Sequence, residues 1–346
     1  MASTISYPNL SSSQSDINET EATTLKRTLI ALDYCIGTFG LIGNMFVLIV
    51  LGSSSTLRKV RINKLIMNQS TIDFLGALFL ILSVAIDDAN QRNAAFCALW
   101  VTKLPFWIVM ISSTFSLVLI TIERYLGVVH VTWYKEKMTD RHMIISMSII
   151  WIFVISYASA LAISTCKIAA NGSCIMYTVY PSLSVKRAVG VFVFTVNFLI
   201  PILIHVFCYF RICHILWIRK KTGIDGIDIF NESDEDVPIS NRKVMRNVVL
   251  TLITVTVCFV TCWFCHQFYF LLAHLEYSVD FHSDFYQFTV IVVACNCCIN
   301  PVVFMVQYKQ FKERAKKMFS SFRKYNTQNT AEKYERKLDS SSTPVV

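Results

Sequence analysis

The chain has 346 residues, of which 54% are hydrophobic and only 16% are charged, and its mean hydropathy is +0.50. So few charges cannot cover a water-soluble body of this length, and the composition therefore excludes a soluble globular protein and indicates a membrane protein. The net charge of +9 is expected along the cytoplasmic membrane edge, and a nucleic-acid partner is not expected.

Seven continuous apolar stretches are long enough to cross a hydrocarbon layer of about 30 Å, which takes roughly 20 helical residues. In chain order they cover residues 28–51, 65–86, 96–128, 143–165, 188–217, 244–274 and 285–307. A transmembrane barrel would instead need polar residues at alternate positions. The sequence therefore predicts an all-α membrane protein with a seven-helix bundle over residues 28–309.

The loops between these stretches predict which end of the chain faces the cytoplasm. Residues 52–64 contain four lysines and arginines and no acid, whereas residues 275–284 contain three acids and neither lysine nor arginine. Basic loops remain in the cytoplasm, so residues 1–27 are predicted to be an extracellular tail and the carboxyl terminus to be cytoplasmic. Three glycosylation sequons fall on the predicted outer side, at Asn9, Asn18 and Asn171.

The twelve cysteines differ in their placement. Cys97 opens the third stretch on the outer side and Cys174 lies in the next outer loop, in an oxidising compartment, so these two are the expected disulfide pair. Cys166, nearer to the membrane, is the competing partner, and a free Cys97 is the remaining alternative. Cysteines within the apolar stretches are expected to pack as small apolar groups and not to bind a metal.

Each apolar stretch carries a distinctive polar, aromatic or proline residue. In chain order these are Gly43-Asn44, Asp73, Cys97 with Glu123-Arg124-Tyr125, Trp151, Pro201 with Tyr209, Phe259 with Cys262-Trp263, and Asn300-Pro301. One such motif alone would mean little, but the whole series in this order resembles the rhodopsin-like (class A) G-protein-coupled receptors. The resemblance implies a multi-pass plasma-membrane receptor that binds an extracellular ligand and activates a heterotrimeric G protein.

Asp73 is an ionisable residue in the middle of an apolar helix, where it needs a wet or paired interior. The resemblance implies that Asp73 and its neighbours line a small pocket for an allosteric sodium ion and water, with Trp263 beside it. The expected set is Asn44, Asp73, Ser113, Asn296 and Asn300. A polar network that only holds the helices together is a compatible alternative. No other metal and no cofactor is expected.

The resemblance also implies which residues switch between the resting and active states. Glu123 would hold Arg124 in an ion pair until Arg124 meets the G protein, whereas an isolated arginine at a helix end would simply snorkel. Pro201 and Pro301 each remove a backbone hydrogen bond, which predicts two hinges. The full expected set is Glu123, Arg124, Tyr125, Pro201, Tyr209, Phe259, Trp263, Pro301 and Phe304.

Four features depart from the family pattern. Residues 241–246, at the cytoplasmic start of the sixth stretch, contain no acid that could hold Arg124. No proline follows Trp263 in the sixth stretch, so the usual kink of that helix is not expected. Phe304 stands where tyrosine is usual and lacks its hydroxyl. Cys97 and Arg124 are 27 residues apart, which is longer than is common and predicts a bulged outer third helix or a shifted loop. These departures predict altered basal signalling without fixing its sign.

Several absences narrow the ligand class. Residues 285–307 contain no lysine, which disfavours a retinal-binding opsin, and the third stretch has no aspartate for a biogenic amine. Residues 174–180 could form a strand of the hairpin lid that the resemblance associates with peptide receptors, so a peptide is the expected ligand. The predicted pocket residues are Phe106, Met110, His266 and Gln267. His266 and Gln267 could instead form hydrogen bonds within the bundle.

Beyond the seventh stretch, residues 310–323 place apolar side chains at helical spacing with lysines and arginines between them. This pattern predicts a short amphipathic eighth helix that contacts lipid on the inner leaflet. Residues 324–346 are polar and are predicted to form a disordered cytoplasmic tail. The serines and threonines of the tail would recruit arrestin when phosphorylated.

Two other function classes remain open. A non-signalling seven-helix binding receptor shares every feature described above except productive coupling to a G protein. A transporter is less favoured, because the sequence shows no internal repeat around a midplane site. An enzyme is not expected, because no nucleophile with a base, phosphate-binding loop or open metal site is apparent.

Overall fold

The computed structural model describes residues 10–86, 94–170, 174–175, 179–222, 241–281 and 283–341. These residues form α-helices, two π-helical turns and a small antiparallel sheet. The helices are α1 (Leu10–Gly52), α2 (Ser55–Lys59), α3 (Arg61–Ile86), α4 (Ala94–Phe96), α5 (Leu104–Val129), α6 (Val131–Lys137), α7 (Asp140–Thr165), α8 (Leu183–Phe194), α9 (Ile200–Thr222), α10 (Asn241–His274), α11 (Asp284–Ala294), α12 (Asn296–Gln307) and α13 (Lys309–Ser341). The π-helical turns are Cys97–Val101 and Thr195–Leu199, and the strands are β1 (Lys167–Ile168) and β2 (Cys174–Ile175).

Seven segments of the described chain are long and apolar enough to cross a membrane, which confirms the predicted number. Numbered spans 1 to 7 in chain order, they are Thr23–Gly52, Arg61–Ile86, Cys97–Val129, Asp140–Thr165, Leu183–Ile218, Val249–His274 and Asp284–Gln307. Span 3 is central, since 72% of its most apolar window is buried, whereas only 11% of the corresponding window of span 4 is buried. The exposed Ile149 and Ile152 of span 4 therefore face lipid.

Span 3 has an irregular entry that accounts for the long spacing between Cys97 and Arg124. The π-helical turn Cys97–Val101 accommodates an extra residue, and Lys103 then adopts a left-handed backbone with a φ of 54°. Pro105 occupies the first turn of α5, where its missing N–H is tolerated. The predicted bulge of the outer third helix is confirmed.

Spans 1, 2 and 7 pack closely in the middle of the bundle. A Cβ added at Gly43 would lie 3.1 Å from the Cβ of Pro301, and one added at Gly76 would lie 2.9 Å from the Sγ of Cys297. Glycine at these two positions therefore favours the close approach of spans 1 and 2 to span 7. The close approach brings the polar side chains of these spans within hydrogen-bond reach of one another.

The other spans are interrupted at different places. Span 5 contains the π-helical turn Thr195–Leu199 shortly before Pro201, where a backbone donor is missing. Span 7 is divided at Cys295 into α11 and α12, and Pro301 lies inside α12. Span 6 belongs to one continuous helix, α10, in agreement with the absence of a proline after Trp263.

The helices at both ends of the chain extend beyond the predicted limits. Helix α1 begins at Leu10, so helix covers much of the range 1–27 that was predicted to be an extracellular tail. Helix α13 ends at Ser341, and the predicted change from helix to disorder at residue 324 is therefore corrected. Residues 331–338 read Ala-Glu-Lys-Tyr-Glu-Arg-Lys-Leu, nearly all of which have high helix propensity, and this run favours the extension.

The start of α13 is attached to span 1. The ring of Phe46 meets Phe311 edge-on and stacks on Phe319, each with a centroid separation of 5.8 Å. The Arg314 guanidinium donates a hydrogen bond to the Ser53 carbonyl at 2.6 Å. These contacts hold α13 at the cytoplasmic end of span 1, where the amphipathic eighth helix was predicted.

The outer loop between spans 4 and 5 forms a short hairpin. Strands β1 and β2 pair antiparallel, and Cys174 of β2 is bonded to Cys97 with their Cα atoms 5.7 Å apart. This is the predicted disulfide, and Cys166 is a free thiol. The strand expected over 174–180 is described only at Cys174–Ile175, because 176–178 lie outside the described residues. Among the predicted glycosylation sites, Asn18 lies in α1, and Asn9 and Asn171 are outside the described residues.

Candidate functional site

Asp73 lies fully buried where spans 2, 3 and 7 meet. Its carboxylate accepts hydrogen bonds from the Ser113 hydroxyl at 2.8 Å and from the Asn300 amide at 2.6 Å. The Gln69 amide, one helical turn before Asp73, donates to both carboxylate oxygens at 3.0 and 3.1 Å. Sequence reasoning missed Gln69, and only its i, i+4 spacing from Asp73 could have indicated it.

Two other residues expected around Asp73 are placed differently. The Asn296 amide donates to Ser113 Oγ at 3.4 Å, so Asn296 reaches the carboxylate only through Ser113. The Asn44 amide donates to the Cys297 carbonyl at 2.8 Å. That carbonyl is the one that Pro301, lacking an N–H, leaves without a helical donor. Asn44 therefore joins span 1 to the bend of span 7 and does not bond to Asp73.

Arg124 and Glu123 form a buried ion pair at the inner end of span 3. The Nε and one terminal nitrogen of Arg124 donate to the two oxygens of Glu123, and the residues are 6% and 0% exposed. The Tyr134 hydroxyl donates a third hydrogen bond to the Glu123 carboxylate. Tyr125, also expected to switch, lies apart from this pair, with its hydroxyl 3.3 Å from Nε2 of His130.

Tyr134 belongs to α6, which lies outside the seven spans. Burial and then the nearby Glu123 carboxylate raise the pKa of Tyr134 to about 12, so its hydroxyl is protonated and donates at neutral pH. The Arg61 guanidinium lies over the Tyr134 ring, 5.1 Å from the centroid. The contact of Tyr134 with Glu123 was not predicted, because the sequence of a loop does not indicate which helix end the side chains of the loop will contact.

The Tyr209 hydroxyl of span 5 is held by threonines of two other spans. It lies 2.9 Å from Thr121 Oγ1 of span 3 and 3.1 Å from Thr256 Oγ1 of span 6. Thr121 Oγ1 is also 3.0 Å from Nδ1 of His205, a buried residue whose ring stacks on Tyr209. This polar cluster, which the sequence did not predict beyond Tyr209, joins spans 3, 5 and 6 one turn from Arg124.

The inner end of span 7 is tied to span 2. Phe304 is fully buried there and carries no hydroxyl. Tyr308, one turn later, is also buried and donates a hydrogen bond to Asn63 Oδ1 at 2.6 Å. A tyrosine hydroxyl is therefore present at this end of span 7, one turn nearer the cytoplasm than the family pattern places it.

Aromatic rings form a continuous series from the outer half of the bundle to its middle. The Trp107 ring stacks on His266 with a centroid separation of 4.5 Å and lies 6.5 Å from Trp263. The Trp263 ring lies 5.9 Å from Phe259, which in turn lies 6.2 Å from His205. A displacement of the Trp107 ring would therefore shift the rings packed against it in turn and alter the hydrogen bonds of the Tyr209 hydroxyl.

A cavity lies among spans 3 to 7 in their outer halves. Its empty volume is about 530 Å³, which includes space open to solvent. Its polar lining residues are Asn197, His266, Gln267 and Tyr286, and no aspartate, glutamate, lysine or arginine of the described chain lines it. The side-chain carbonyls of Asn197 and Gln267 are buried without a hydrogen-bond partner among the described residues. The cavity is therefore uncharged and aromatic, and two acceptors remain to be satisfied.

The predicted cavity residues of span 3 are corrected by one position. Phe106 and Met110 are fully buried between helices, with Met110 Sδ 3.7 Å from the Cys297 Sγ, and the cavity is lined by Trp107 and Ile111 instead. The sequence does not reveal how span 3 is rotated about its axis, and that rotation decides which of two adjacent residues faces the cavity. His266 and Gln267 do line the cavity, as predicted.

The sequence matches a known family over most of these features. Residues 43–304, more than half of the chain, match the family described as 7 transmembrane receptor (rhodopsin family). The chain belongs to this family. The receptor is therefore a multi-pass plasma-membrane protein and not an enzyme, as predicted.

The receptor is similar to several named relatives at low identity. It is 25% identical to Galanin receptor 2a of Danio rerio over 300 residues, which is 84% of this chain and 77% of the relative. It is 23% identical to Allatostatin-A receptor of Bombyx mori over 305 residues, 84% of this chain and 79% of the relative. It is 23% identical to Pyroglutamylated RF-amide peptide receptor of Rattus norvegicus over 297 residues, 80% of this chain and 66% of the relative.

A second polar group lies near the outer ends of spans 1, 3 and 7 of the receptor. Asp33 is fully buried and accepts a hydrogen bond from the Gln287 amide at 2.7 Å, while Lys103 Nζ donates to Gln287 Oε1 at 3.1 Å. The second carboxylate oxygen of Asp33 has no hydrogen-bond partner among the described residues. The sequence reading missed Asp33, although an acid inside an apolar helix is a recognised signal of function.

Proposed function

We propose that the receptor binds an extracellular peptide with the cavity among spans 3 to 7 and transmits the binding to a heterotrimeric G protein at the inner end of span 3. The observation that supports this most directly is the uncharged aromatic cavity with two unsatisfied carbonyl acceptors. The relatives named for galanin, allatostatin-A and RF-amide peptide favour a peptide over a small amine.

The part of the peptide that enters the cavity is expected to be uncharged. A charged group there would be buried without a counter-ion, which costs several kcal/mol. An amide N–H or a terminal carboxamide would instead donate to Asn197 and Gln267, and an aromatic side chain would pack on Trp107.

Ligand binding would act on the cytoplasmic side through the series of rings. A ligand that displaces the rings of Trp107 and Trp263 would also displace Phe259 and His205. This displacement would alter the hydrogen bonds that join spans 3, 5 and 6. Arg124, one turn beyond Thr121, would then leave Glu123 and contact the G protein. In the absence of ligand, the Glu123 pair and the Tyr134 hydroxyl would hold Arg124 in place.

Two further partners belong to the cytoplasmic end. The exposed Phe319 and the basic residues of α13 would contact lipid of the inner leaflet. Serines and threonines of α13 and of the residues beyond it, once phosphorylated, would recruit arrestin through added negative charge. The allosteric sodium ion that the family resemblance implies at Asp73, Ser113, Asn296 and Asn300 stays an untested prediction, and the Gln69 amide, which lies between the same carboxylate and hydroxyl oxygens, argues against it.

The test is a screen of synthetic peptides, each as the carboxamide and as the free acid, on cells that express the receptor and carry a G-protein dissociation sensor. We expect at least one peptide to activate the wild type. The carboxamide of that peptide should be more potent than its free acid, because the end that enters the cavity is then uncharged. Arg124→Ala is the matched control, which should bind the peptide without activation. Peptide binding without activation of any G protein by the wild type would instead identify a non-signalling binding receptor, and a failure of all peptides to bind would contradict the ligand class.

A further inference from the structure

Both oxygens of the Asp73 carboxylate are engaged by donor groups of the protein. A carboxylate presents about four lone-pair sites. One oxygen accepts from Ser113 and the other accepts from Asn300, and the Gln69 Nε2 lies within hydrogen-bond distance of both, so three donor groups surround the carboxylate. A cation bound between the two carboxylate oxygens and Ser113 Oγ would have to displace the Gln69 amide nitrogen.

Gln69 is the donor that stands in the position of a cation. Its Nε2 lies within 3.1 Å of both oxygens of Asp73 and donates to Ser113 Oγ at 2.6 Å, so the amide group is placed between the two oxygen ligands that an ion would use. Ser113 and Asn300 belong to other spans and hold the helices together. Gln69 lies on the same helix as Asp73, one turn away. Its amide therefore reaches the carboxylate without depending on how the spans are placed relative to one another.

The orientation of the Gln69 amide is fixed by the carboxylate. If the amide were turned over, its oxygen would face the carboxylate oxygens and would need a cation between them. In the observed orientation the Gln69 carbonyl oxygen is buried without a hydrogen-bond partner among the described residues, which is itself unfavourable. The hydrogen bonds from the amide to Asp73 must therefore outweigh that unfavourable burial.

We propose that Gln69 is a built-in partner of Asp73 that takes the place of a monovalent cation and makes the receptor insensitive to sodium. The proposal runs against the ion expected from the family resemblance, and it holds whether or not the ligand is a peptide. Gln69 would act as a specificity-determining residue: it supplies an amide donor to a buried acid, and it excludes an ion that would otherwise stabilise the resting bundle.

The experiment measures the thermal unfolding midpoint of the purified full-length receptor in sodium, potassium and choline chloride at equal ionic strength. For the wild type we expect the same midpoint in all three salts. For Gln69→Leu we expect sodium, but not potassium or choline, to raise the midpoint by about 3 °C or more, because an ion that binds only the folded state stabilises it. Adding Asp73→Asn to Gln69→Leu should abolish that gain.

The matched control is Asn68→Leu, which removes a neighbouring amide that bonds to Ser116 and not to Asp73. It should leave the receptor insensitive to sodium. Gln69→Met, which keeps the length of the side chain but has no amide, serves if Gln69→Leu does not fold. A sodium-specific rise in the wild type that is lost in Asp73→Asn would overturn the proposal. So would the absence of any gain in the folded Gln69 variants. Neither result depends on the ligand or on G-protein coupling, so the proposed function is tested separately.

Discussion

The hydroxyl of Tyr134 donates a hydrogen bond to Glu123, whose carboxylate also pairs with Arg124. The bond joins α6 of the inner loop to the inner end of span 3, so the ion pair is supported from outside its own helix. A buried pair is unstable when one partner is lost, and a third group that fixes the carboxylate makes separation harder. Tyr134 is therefore expected to stabilise the resting conformation.

Replacing Tyr134 by phenylalanine should raise basal signalling. The change removes a hydrogen bond to a charged group, which contributes roughly 1.5–3 kcal/mol, so the resting state should be weakened about tenfold or more. The measurement is ligand-independent nucleotide exchange at equal receptor density. Tyr125→Phe is the control, since that hydroxyl meets His130 and not Glu123. Equal basal exchange in Tyr134→Phe and the wild type would show that Tyr134 does not restrain Arg124.

Replacing Trp107 by leucine should reduce agonist potency. The change removes the ring that stacks on His266 and lines the cavity, and buried aromatic anchors of this kind commonly contribute about 2 kcal/mol or more to binding. We expect a loss of at least roughly tenfold in potency for any activating peptide. Trp133→Leu, at a half-exposed tryptophan of α6, is the matched control. Unchanged potency in Trp107→Leu would place the ligand outside this cavity.

Replacing Tyr308 by phenylalanine should lower the stability of the inner end of the bundle. The hydroxyl donates to Asn63 in a buried site, and its loss leaves an unsatisfied acceptor at a cost of about 1–3 kcal/mol. The thermal unfolding midpoint should fall by roughly 2–4 °C for each kcal/mol that is lost. Tyr325→Phe, at an exposed tyrosine of α13, should leave the midpoint unchanged. Equal midpoints for the two variants would mean that the Tyr308 bond contributes nothing.

Cys97→Ser and Cys174→Ser should have the same effect as each other. The disulfide closes a chain segment of 77 residues and holds β2 at the entry of span 3, so its loss should destabilise the receptor by about 2–4 kcal/mol and weaken ligand binding. The double variant should be no worse than either single variant. Cys166→Ser should behave as the wild type, because that thiol is free. A defect in Cys166→Ser as large as that in Cys97→Ser would indicate the competing pair.

The sequence was sufficient to predict the bundle and the residues that meet at its centre. Long apolar stretches define the spans directly, and the resemblance brought Asp73, Ser113 and Asn300 together as the structure does. The adjacent Glu123 and Arg124 also pair as expected. These successes depend on signals that are either local in the chain or attached to a recognised motif.

The residues that were missed depend on how the helices are rotated and joined. Gln69 and His205 are polar residues of largely apolar helices, and their partners are defined only once the spans are packed. Trp107 lines the cavity in place of Phe106 because the rotation of span 3 about its axis, which the sequence does not reveal, turns Trp107 toward it. The length of α13 was underestimated because a polar segment with high helix propensity resembles a disordered one in composition.

The most direct test of the link between cavity and cytoplasm is nucleotide exchange on a purified G protein by the receptor reconstituted in a bilayer, with an activating peptide from the screen. We expect the peptide to accelerate exchange by the wild type, to do so poorly with Phe259→Ala, and not at all with Arg124→Ala, although both variants still bind it. If Phe259→Ala responds like the wild type at saturating peptide, the ring series does not carry the signal. If the wild type binds the peptide and never accelerates exchange, the receptor does not signal through a G protein.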